Sequence, residues 1–134
     1  MSTDHLCHPF SRLSWTVPEF LDQLFVEEPQ FLDELVQLFI QDTTANLVLL
    51  QEQRSLGNEK AVGQTLHALK GSCRQMGAMK MGDILDEMEE SLVRDGGDAM
   101  RESLVTLESA FHSVRWEMED GIIRLDKRRK AKHP

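Results

Sequence analysis

Apolar residues return every three or four positions over long stretches of this chain, which is the spacing of one face of an α-helix. The clearest stretch lies between residues 59 and 76, where the apolar positions advance in steps of four, three, four and three. No stretch alternates between apolar and polar residues in the way of a half-buried strand. The pattern therefore predicts an all-α protein. The apolar stripe of this stretch consists of Val62, Leu66, Leu69, Cys73 and Met76.

Three other stretches have a stripe of the same kind and predict three further long helices, each with its stripe facing the core. The stripe predicted for the second helix includes one polar residue, Asp42, which helical drift can carry to the edge of the stripe. This stripe consists of Phe31, Leu35, Leu38, Asp42, Ala45 and Leu49. The stripe of the fourth helix consists of Met81, Leu85, Met88 and Leu92. The stripe of the last helix consists of Met100, Leu104, Leu107, Phe111, Val114, Met118, Ile122 and Leu125.

Residues that favour helix ends set the first boundaries. Thr16 and Glu19 have the spacing of a capping box, which predicts that a short first helix opens at Thr16. Pro29 is suited to the first turn of the second helix, and Gly57 is suited to the position just after its end. The apolar face of the short first helix consists of Phe20, Leu21, Leu24 and Phe25.

The remaining boundaries follow from the same kinds of residue. Asn58 is a good N-cap for the third helix, and Gly77 separates the third helix from the fourth. Residues 95–98 read Asp-Gly-Gly-Asp, which predicts a turn, with Asp98 as the N-cap of the last helix.

Short connections between long amphipathic helices place helices that follow one another side by side and antiparallel. We therefore predict an antiparallel up-down four-helix bundle, with the additional short N-terminal helix packed across one end. A length of 134 residues suits a single domain. We expect a flexible arm over residues 1–15, the helical bundle domain over residues 16–126 and a basic tail over residues 127–134.

Charge and composition exclude several classes of function. The formal net charge of -8 disfavours binding to nucleic acid, because nucleic acids select basic surfaces. No apolar run approaches the length of a membrane span, and the N-terminus lacks the pattern of a signal peptide, so we expect a cytoplasmic protein. Cys7 and Cys73 are too few for a disulfide scaffold, and Cys73 should be an inert buried thiol.

A second set of residues lies on another face of the third predicted helix, around His67. Gly63 and Gly71 lie one turn before and one turn after it, and Lys70 and Arg74 lie on the same side. Each glycine costs a helix interior roughly 0.8–1 kcal/mol relative to alanine. A helix that keeps both glycines should use the space, by letting another protein's backbone approach the imidazole.

These residue types suit the transfer of a phosphoryl group. Neutral imidazole, with an unperturbed pKa of about 6.5, is a good nucleophile near pH 7. Lys70 and Arg74 should disfavour the imidazolium form and pair with phosphoryl oxygens. We see no carboxylate cluster to hold Mg²⁺, so any metal ion should come from a partner. Taken alone, the pattern leaves open that His67 is an ordinary solvated histidine.

Residues 67–72 read His-Ala-Leu-Lys-Gly-Ser and are followed by Gly77-Ala78. This segment closely resembles the signature H-x-L-K-G-S-x-x-x-x-G-A of histidine-containing phosphotransfer (HPt) domains. Residues 28–32, which lead into Leu35, Phe39 and Asp42, also resemble the second helix of that family. The resemblance covers roughly residues 16–118. It implies a phosphocarrier of a two-component phosphorelay, without catalytic machinery of its own.

The resemblance implies a role for each matching residue. His67 would accept the phosphoryl group from a receiver-domain aspartate or from a kinase and pass it to another receiver-domain aspartate. Lys70 would steady the phosphoryl group, and Gly71 would keep the site open. Ser72 and Gly77 would hold structural positions.

The implied partners are response-regulator receiver domains, a hybrid histidine kinase, or both, and the receiver would supply Mg²⁺. We expect no intrinsic cofactor, no metal site and a monomer. The docking surface should surround His67 and consist of Gly63, Gln64, Gly71, Arg74, Gln75 and Met79. In some relatives the fourth helix adds a polar residue near the histidine. The candidates here are Glu87, Glu89 and Arg94, and their contribution stays open because an acidic neighbour would oppose a phosphoryl group.

Two alternatives remain, and the sequence disfavours two others. The same fold is compatible with a docking module that is never phosphorylated, or with an HPt segment excised from a larger hybrid histidine kinase. A histidine-kinase dimerisation helix would have an acidic residue after the histidine, whereas residue 68 is alanine. A di-iron bundle would need a Glu-x-x-His motif, which the sequence lacks. His5, Cys7 and His8 form a small cluster in the arm, and His112 should be a packing or surface residue.

Overall fold

The structure is a computed structural model that describes residues 15, 18–98 and 100–132. Within these residues the chain forms five helices and no strand: α1 (Glu19–Glu27), α2 (Pro29–Ser55), α3 (Glu59–Met76), α4 (Met79–Asp95) and α5 (Met100–Lys132). The prediction of an all-α protein is confirmed.

The four long helices form a closed ring around one core. Each of α2 to α5 packs against its neighbours in sequence, and α5 also packs against α2. Because the connections between the long helices are short, successive helices run antiparallel. The predicted up-down four-helix bundle is confirmed, and α1 packs against α2 as the additional helix.

Local capping explains why α3 begins and ends where it does. The side chain of Asn58 accepts a hydrogen bond from the backbone N–H of Ala61, as expected for an N-cap. Gly77 has a φ of 89°, a left-handed conformation that favours glycine. The Ala78 N–H donates to the Cys73 carbonyl at 2.8 Å, which closes a Schellman motif at the α3–α4 corner.

The start of α1 differs from the prediction. Pro18 is extended, with φ -62° and ψ 149°, and α1 begins after it at Glu19. The carbonyl of Pro18 accepts the first backbone hydrogen bond of the helix, from Leu21. The predicted start at Thr16 is wrong, because the extended backbone of Pro18 is not part of the helix. Thr16 itself lies outside the described residues.

The apolar stripe predicted for α2 is also wrong. Phe31, Leu38 and Leu49 are largely exposed, and so is Asp42. The helix α2 has apolar residues on two faces. Burial of the predicted face would take the carboxylate of Asp42 out of water, which is costly for an unpaired charge. The face that packs into the core consists of Leu32, Val36, Phe39, Ile40, Thr43, Leu47 and Leu50.

The stripes predicted for the other long helices are confirmed over most of their length. All five residues of the α3 stripe are buried, and so are Met81, Leu85 and Met88 on α4. Leu92 is partly buried against the same core. On α5 the stripe is buried from Met100 to Met118, and the side chain of Leu125 lies outside the described residues.

Trp15 is part of the fold, although the sequence pattern places it in the predicted flexible arm. Its side chain is buried, and its indole N–H donates to the carbonyl of Met76 at 2.8 Å. The ring also lies against Gly121 of α5. A single aromatic residue ahead of a helix adds no periodicity, so the sequence pattern contained no signal for it. Residues 1–14 lie outside the described residues.

Helix α5 is longer than a bundle helix needs to be. It continues without interruption through residues 127–132, which belong to the predicted basic tail. The predicted N-cap at Asp98 adjoins Ala99, which lies outside the described residues. None of the helices formed by the described residues has the length and apolar character that a membrane span requires.

The contact between Trp15 and α5 can be tested with two glycine substitutions. A Cβ added at Gly121 would lie 2.8 Å from Cζ3 of Trp15, whereas a Cβ added at Gly71 would have nothing within 4 Å. Both substitutions gain the same helix propensity, about 1 kcal/mol per Gly→Ala exchange. We expect Gly71→Ala to raise the free energy of unfolding by about 0.5–1 kcal/mol. Gly121→Ala should lose that gain and cost about 1–3 kcal/mol through overpacking.

Urea denaturation of both variants and the wild type, followed by tryptophan fluorescence and circular dichroism, measures the difference. Equal stabilisation by the two substitutions would show that Trp15 does not occupy this place on α5.

Candidate functional site

His67 lies in the middle of α3, on the face opposite the buried stripe. Its neighbours Leu66 and Leu69 are buried, whereas 74 % of the His67 side chain is exposed. The rigid middle of a packed helix therefore holds the imidazole in solvent, where a second protein can reach it.

One edge of the imidazole faces α4. Nδ1 of His67 lies 3.3 Å from Oε2 of Glu89. An ionised carboxylate can only accept hydrogen bonds, so this contact requires the proton of the neutral ring to be on Nδ1. The other nitrogen, Nε2, is then the one with a free lone pair. Of the three α4 residues considered above, Glu89 makes this contact, whereas Arg94 pairs with Asp95 at 3.8 Å.

Lys70 lies one turn along α3 and is held by two carboxylates of α4. Its ammonium is 2.8 Å from Oε1 of Glu89 and 3.0 Å from Oδ1 of Asp86. The contacts of Lys70 with the two carboxylates raise its pKa, and Glu89 has the larger effect. The hydrogen bond from Lys70 in turn lowers the pKa of Asp86. Both groups are therefore ionised near neutral pH. Glu89 links His67 and Lys70 through its two oxygens.

The two cations predicted on the face of His67 both pair with carboxylates of α4. Lys70 is shared between Asp86 and Glu89, and Arg74 pairs with Asp83 at 3.6 Å. The carboxylates of α4 thus offset both positive charges. The sequence analysis left the contribution of the fourth helix open, and the structure places its carboxylates beside both cations.

The two glycines beside His67 have different surroundings. Gly71 is exposed, and a Cβ built on it would meet no atom within 4 Å. A Cβ on Gly63 would lie 3.4 Å from Cδ2 of Leu92, in ordinary contact with α4. Gly71 therefore leaves open space next to the imidazole, whereas Gly63 lies against the neighbouring helix and not on an open surface.

The other predicted site residues lie along α3 and at the start of α4. Gln64, Gln75 and Met79 are exposed around α3 and the start of α4. Ser72 and Gln75 line a shallow groove of about 170 Å³ between α3 and α2. The remaining lining residues of this groove are Leu35, Leu38, Phe39, Asp42 and Met76. The site is thus acidic on its α4 side and more apolar on its α2 side.

Other reactive side chains lie away from this site. Cys73 is buried, and burial raises the pKa of its thiol to about 12. His112 is exposed on α5. In the part of the chain that the structure describes, no three His, Cys, Asp or Glu side chains come together as a metal site. His5, Cys7 and His8 lie outside that part.

Asp83 and Asp86 were not among the predicted site residues, although the sequence contained a signal for them. The α3–α4 corner is short, so residues at similar distances from Gly77 along the chain face each other across the two helices. This relation pairs His67 with Glu89, Lys70 with Asp86 and Arg74 with Asp83, as the structure does. Side-chain periodicity alone does not indicate which residues meet.

Comparison with known proteins identifies the family. The sequence model of the Hpt domain matches residues 34–127, from within α2 to within α5, and includes His67. The chain belongs to the Hpt domain family. This Hpt domain is a phosphotransfer carrier of the kind that phosphorelays use, and Hpt domains interact there with receiver domains and histidine kinases.

A solved structure supports the fold. The crystal structure of histidine-containing phosphotransfer protein B (HptB) from Pseudomonas aeruginosa PAO1 is similar to this Hpt domain, with a TM-score of 0.72 and 24 % sequence identity. The similarity covers 81 % of this chain and 95 % of that one. No curated protein matches the chain in sequence at a significant level.

Proposed function

We propose that His67 is the phosphorylated residue of this Hpt domain and that Nε2 is the nitrogen that accepts the phosphoryl group. The observation that carries the proposal is an exposed imidazole at mid-helix whose Nδ1 faces Glu89 at 3.3 Å. A carboxylate at Nδ1 leaves Nε2 unprotonated and directed away from α4. The open space at Gly71 gives a partner a path to that nitrogen.

The proposed step is a displacement at phosphorus. The lone pair of His67 Nε2 attacks the phosphorus of an aspartyl phosphate, and an N–P bond forms. The bond between phosphorus and the aspartyl oxygen breaks, and its electron pair leaves on the carboxylate. The Nδ1 proton stays on the ring, which becomes positively charged, and Oε2 of Glu89 continues to accept its hydrogen bond. The same bond changes in reverse deliver the group to a second aspartate.

Lys70 is the cation best situated to meet the phosphoryl oxygens. It lies one turn from His67, and its ammonium has three N–H donors. The ammonium is hydrogen-bonded to Asp86 and ion-paired with Glu89, and a further N–H would be available for a phosphoryl oxygen. A charge-assisted hydrogen bond of this kind is stronger than a neutral one. Arg74, which pairs with the more exposed Asp83, would contact the partner at the rim and not the phosphoryl group.

The proposed partners are receiver domains, with a hybrid histidine kinase as a further possible donor. The receiver would supply the acceptor aspartate and the Mg²⁺ that its acidic pocket holds. Its apolar residues would rest on the α2 side of the site, near the groove formed by Leu35, Leu38 and Gln75. Gln64, Gly71 and Met79 would form the rest of the rim. We propose that the domain acts as a monomer and contributes the nucleophile but no catalytic machinery of its own.

Replacement of the nucleophile tests the site assignment. We expect His67→Gln to take no phosphoryl group from a phosphorylated receiver domain of its own genome, because the amide is not a nucleophile. The free energy of unfolding should stay within about 0.5 kcal/mol of the wild type, since the side chain is exposed. Acid-labile radiolabel on the protein measures acceptance, and thermal denaturation measures stability.

His112→Gln is the matched control, because His112 is also an exposed helical histidine. It should accept label like the wild type. Label retained by His67→Gln and lost in His112→Gln would reassign the site. A folded wild type that no receiver or kinase phosphorylates would favour the docking module instead.

Substitutions of different size at position 71 test whether the open space beside His67 is needed for phosphotransfer. We expect Gly71→Gln to slow phosphotransfer about ten- to hundredfold, because a long side chain at this position displaces the incoming phosphorus from the imidazole. Gly71→Ala, which adds one methyl group, should have a much smaller effect. Rapid-quench kinetics with one receiver domain compares the two. Transfer by Gly71→Gln at the wild-type rate would remove the role of this space.

A further inference from the structure

The acidic side of the site contains a residue that the proposed chemistry does not use. Asp86 is bonded to Lys70 at 3.0 Å, and 41 % of its side chain is exposed. Glu89, by contrast, contacts both Lys70 and His67. Asp86 can therefore influence the reaction through Lys70 without a direct contribution to the state of the imidazole.

Several negatively charged groups compete for the single positive charge of Lys70. Before transfer, two carboxylates share it. After transfer, a phosphoryl group with a charge of about -2 would compete for it. The Lys70 side chain is only 16 % exposed, so its ammonium is held over α4 and does not extend freely toward His67. A carboxylate that stays bonded to Lys70 therefore weakens the contact between Lys70 and the phosphoryl group.

We propose that Asp86 is a positioning residue that retains part of the Lys70 charge on α4 and thereby keeps the phosphohistidine short-lived and ready to donate. The inference rests on the proposed function of His67 and adds a residue that sets the lifetime of the phosphorylated state. A carrier gains from this arrangement, because a phosphoryl group held weakly passes more easily to the next aspartate. Glu89 does not provide such a clean test, since its replacement would also alter Nδ1 of His67.

The helix offers a matched control one turn away. Asp83 is also an aspartate of α4 that faces α3, but it pairs with Arg74 and is 74 % exposed. Asp83→Asn removes the same charge from the same helix while the bonds of Lys70 stay in place. Asp86→Glu keeps the charge at position 86 and serves as the conservative variant.

The experiment uses the full chain and phosphoramidate, a small-molecule donor that phosphorylates histidine without a partner protein. After removal of phosphoramidate at pH 8, ³¹P NMR follows the loss of the phosphohistidine signal. We expect Asp86→Asn to lengthen the lifetime about three- to tenfold, the scale expected when Lys70 strengthens one hydrogen bond to the phosphoryl group. Asp83→Asn and Asp86→Glu should decay like the wild type.

A second pair of variants tests whether Asp86 acts through Lys70. Lys70→Ala should shorten the lifetime, and adding Asp86→Asn to it should produce little of the lengthening seen in the wild-type background. An equal lengthening in both backgrounds would overturn the positioning role, because it would report direct charge repulsion. A lifetime of Asp86→Asn that is unchanged or shorter would also overturn it.

The two levels of the proposal fail in different ways. If the wild type takes phosphate on His67 while Asp86→Asn decays at the wild-type rate, Asp86 has no such role and the function of His67 stands. If phosphoramidate places no phosphate on His67 of the folded wild type, the proposed function fails, and the role of Asp86 fails with it.

Discussion

The amphipathic division of α3 is the constraint on which this site depends. Burial of Val62, Leu66, Leu69, Cys73 and Met76 fixes the rotation of the helix about its axis. Once that face is in the core, His67 can only point toward solvent. The imidazole is therefore held at a defined place by hydrophobic packing on the other side of the helix, and its contact with Glu89 orients the ring. A mobile loop would present the same ring with far less precise orientation.

The short corner at Gly77 determines which charged residues lie beside His67. It returns the chain as α4, antiparallel to α3, and brings Glu89 and Asp86 beside His67 and Lys70. The resulting site has more negative than positive charge, which is an unusual environment for a group that is to receive phosphate. In the proposed reaction this balance favours onward transfer over storage. It also agrees with a carrier that leaves metal binding and activation of the aspartate to its partner.

Much of the fold follows from local rules in the sequence. The helix ends at Gly57 and Gly77 and the cap at Asn58 depend on neighbouring residues, and the stripe of α3 has no competing face. The stripe of α2 was wrong because two apolar faces compete there, and only the packed bundle decides between them. Trp15 was missed because its partners, Met76 and Gly121, are distant in sequence. At the site, the residues of α3 were predictable, whereas the surroundings of Gly63 and Lys70 depend on the register between two helices.

Direct identification of the phosphorylated atom tests the central claim. The protein is labelled with ¹⁵N-histidine and phosphorylated, and the nitrogen coupled to phosphorus is assigned by ³¹P–¹⁵N NMR. A hydrogen bond from Nδ1 to Glu89 predicts that phosphorus is bonded to Nε2 of His67. Phosphorus on Nδ1 of His67, or on another histidine such as His112, would contradict it.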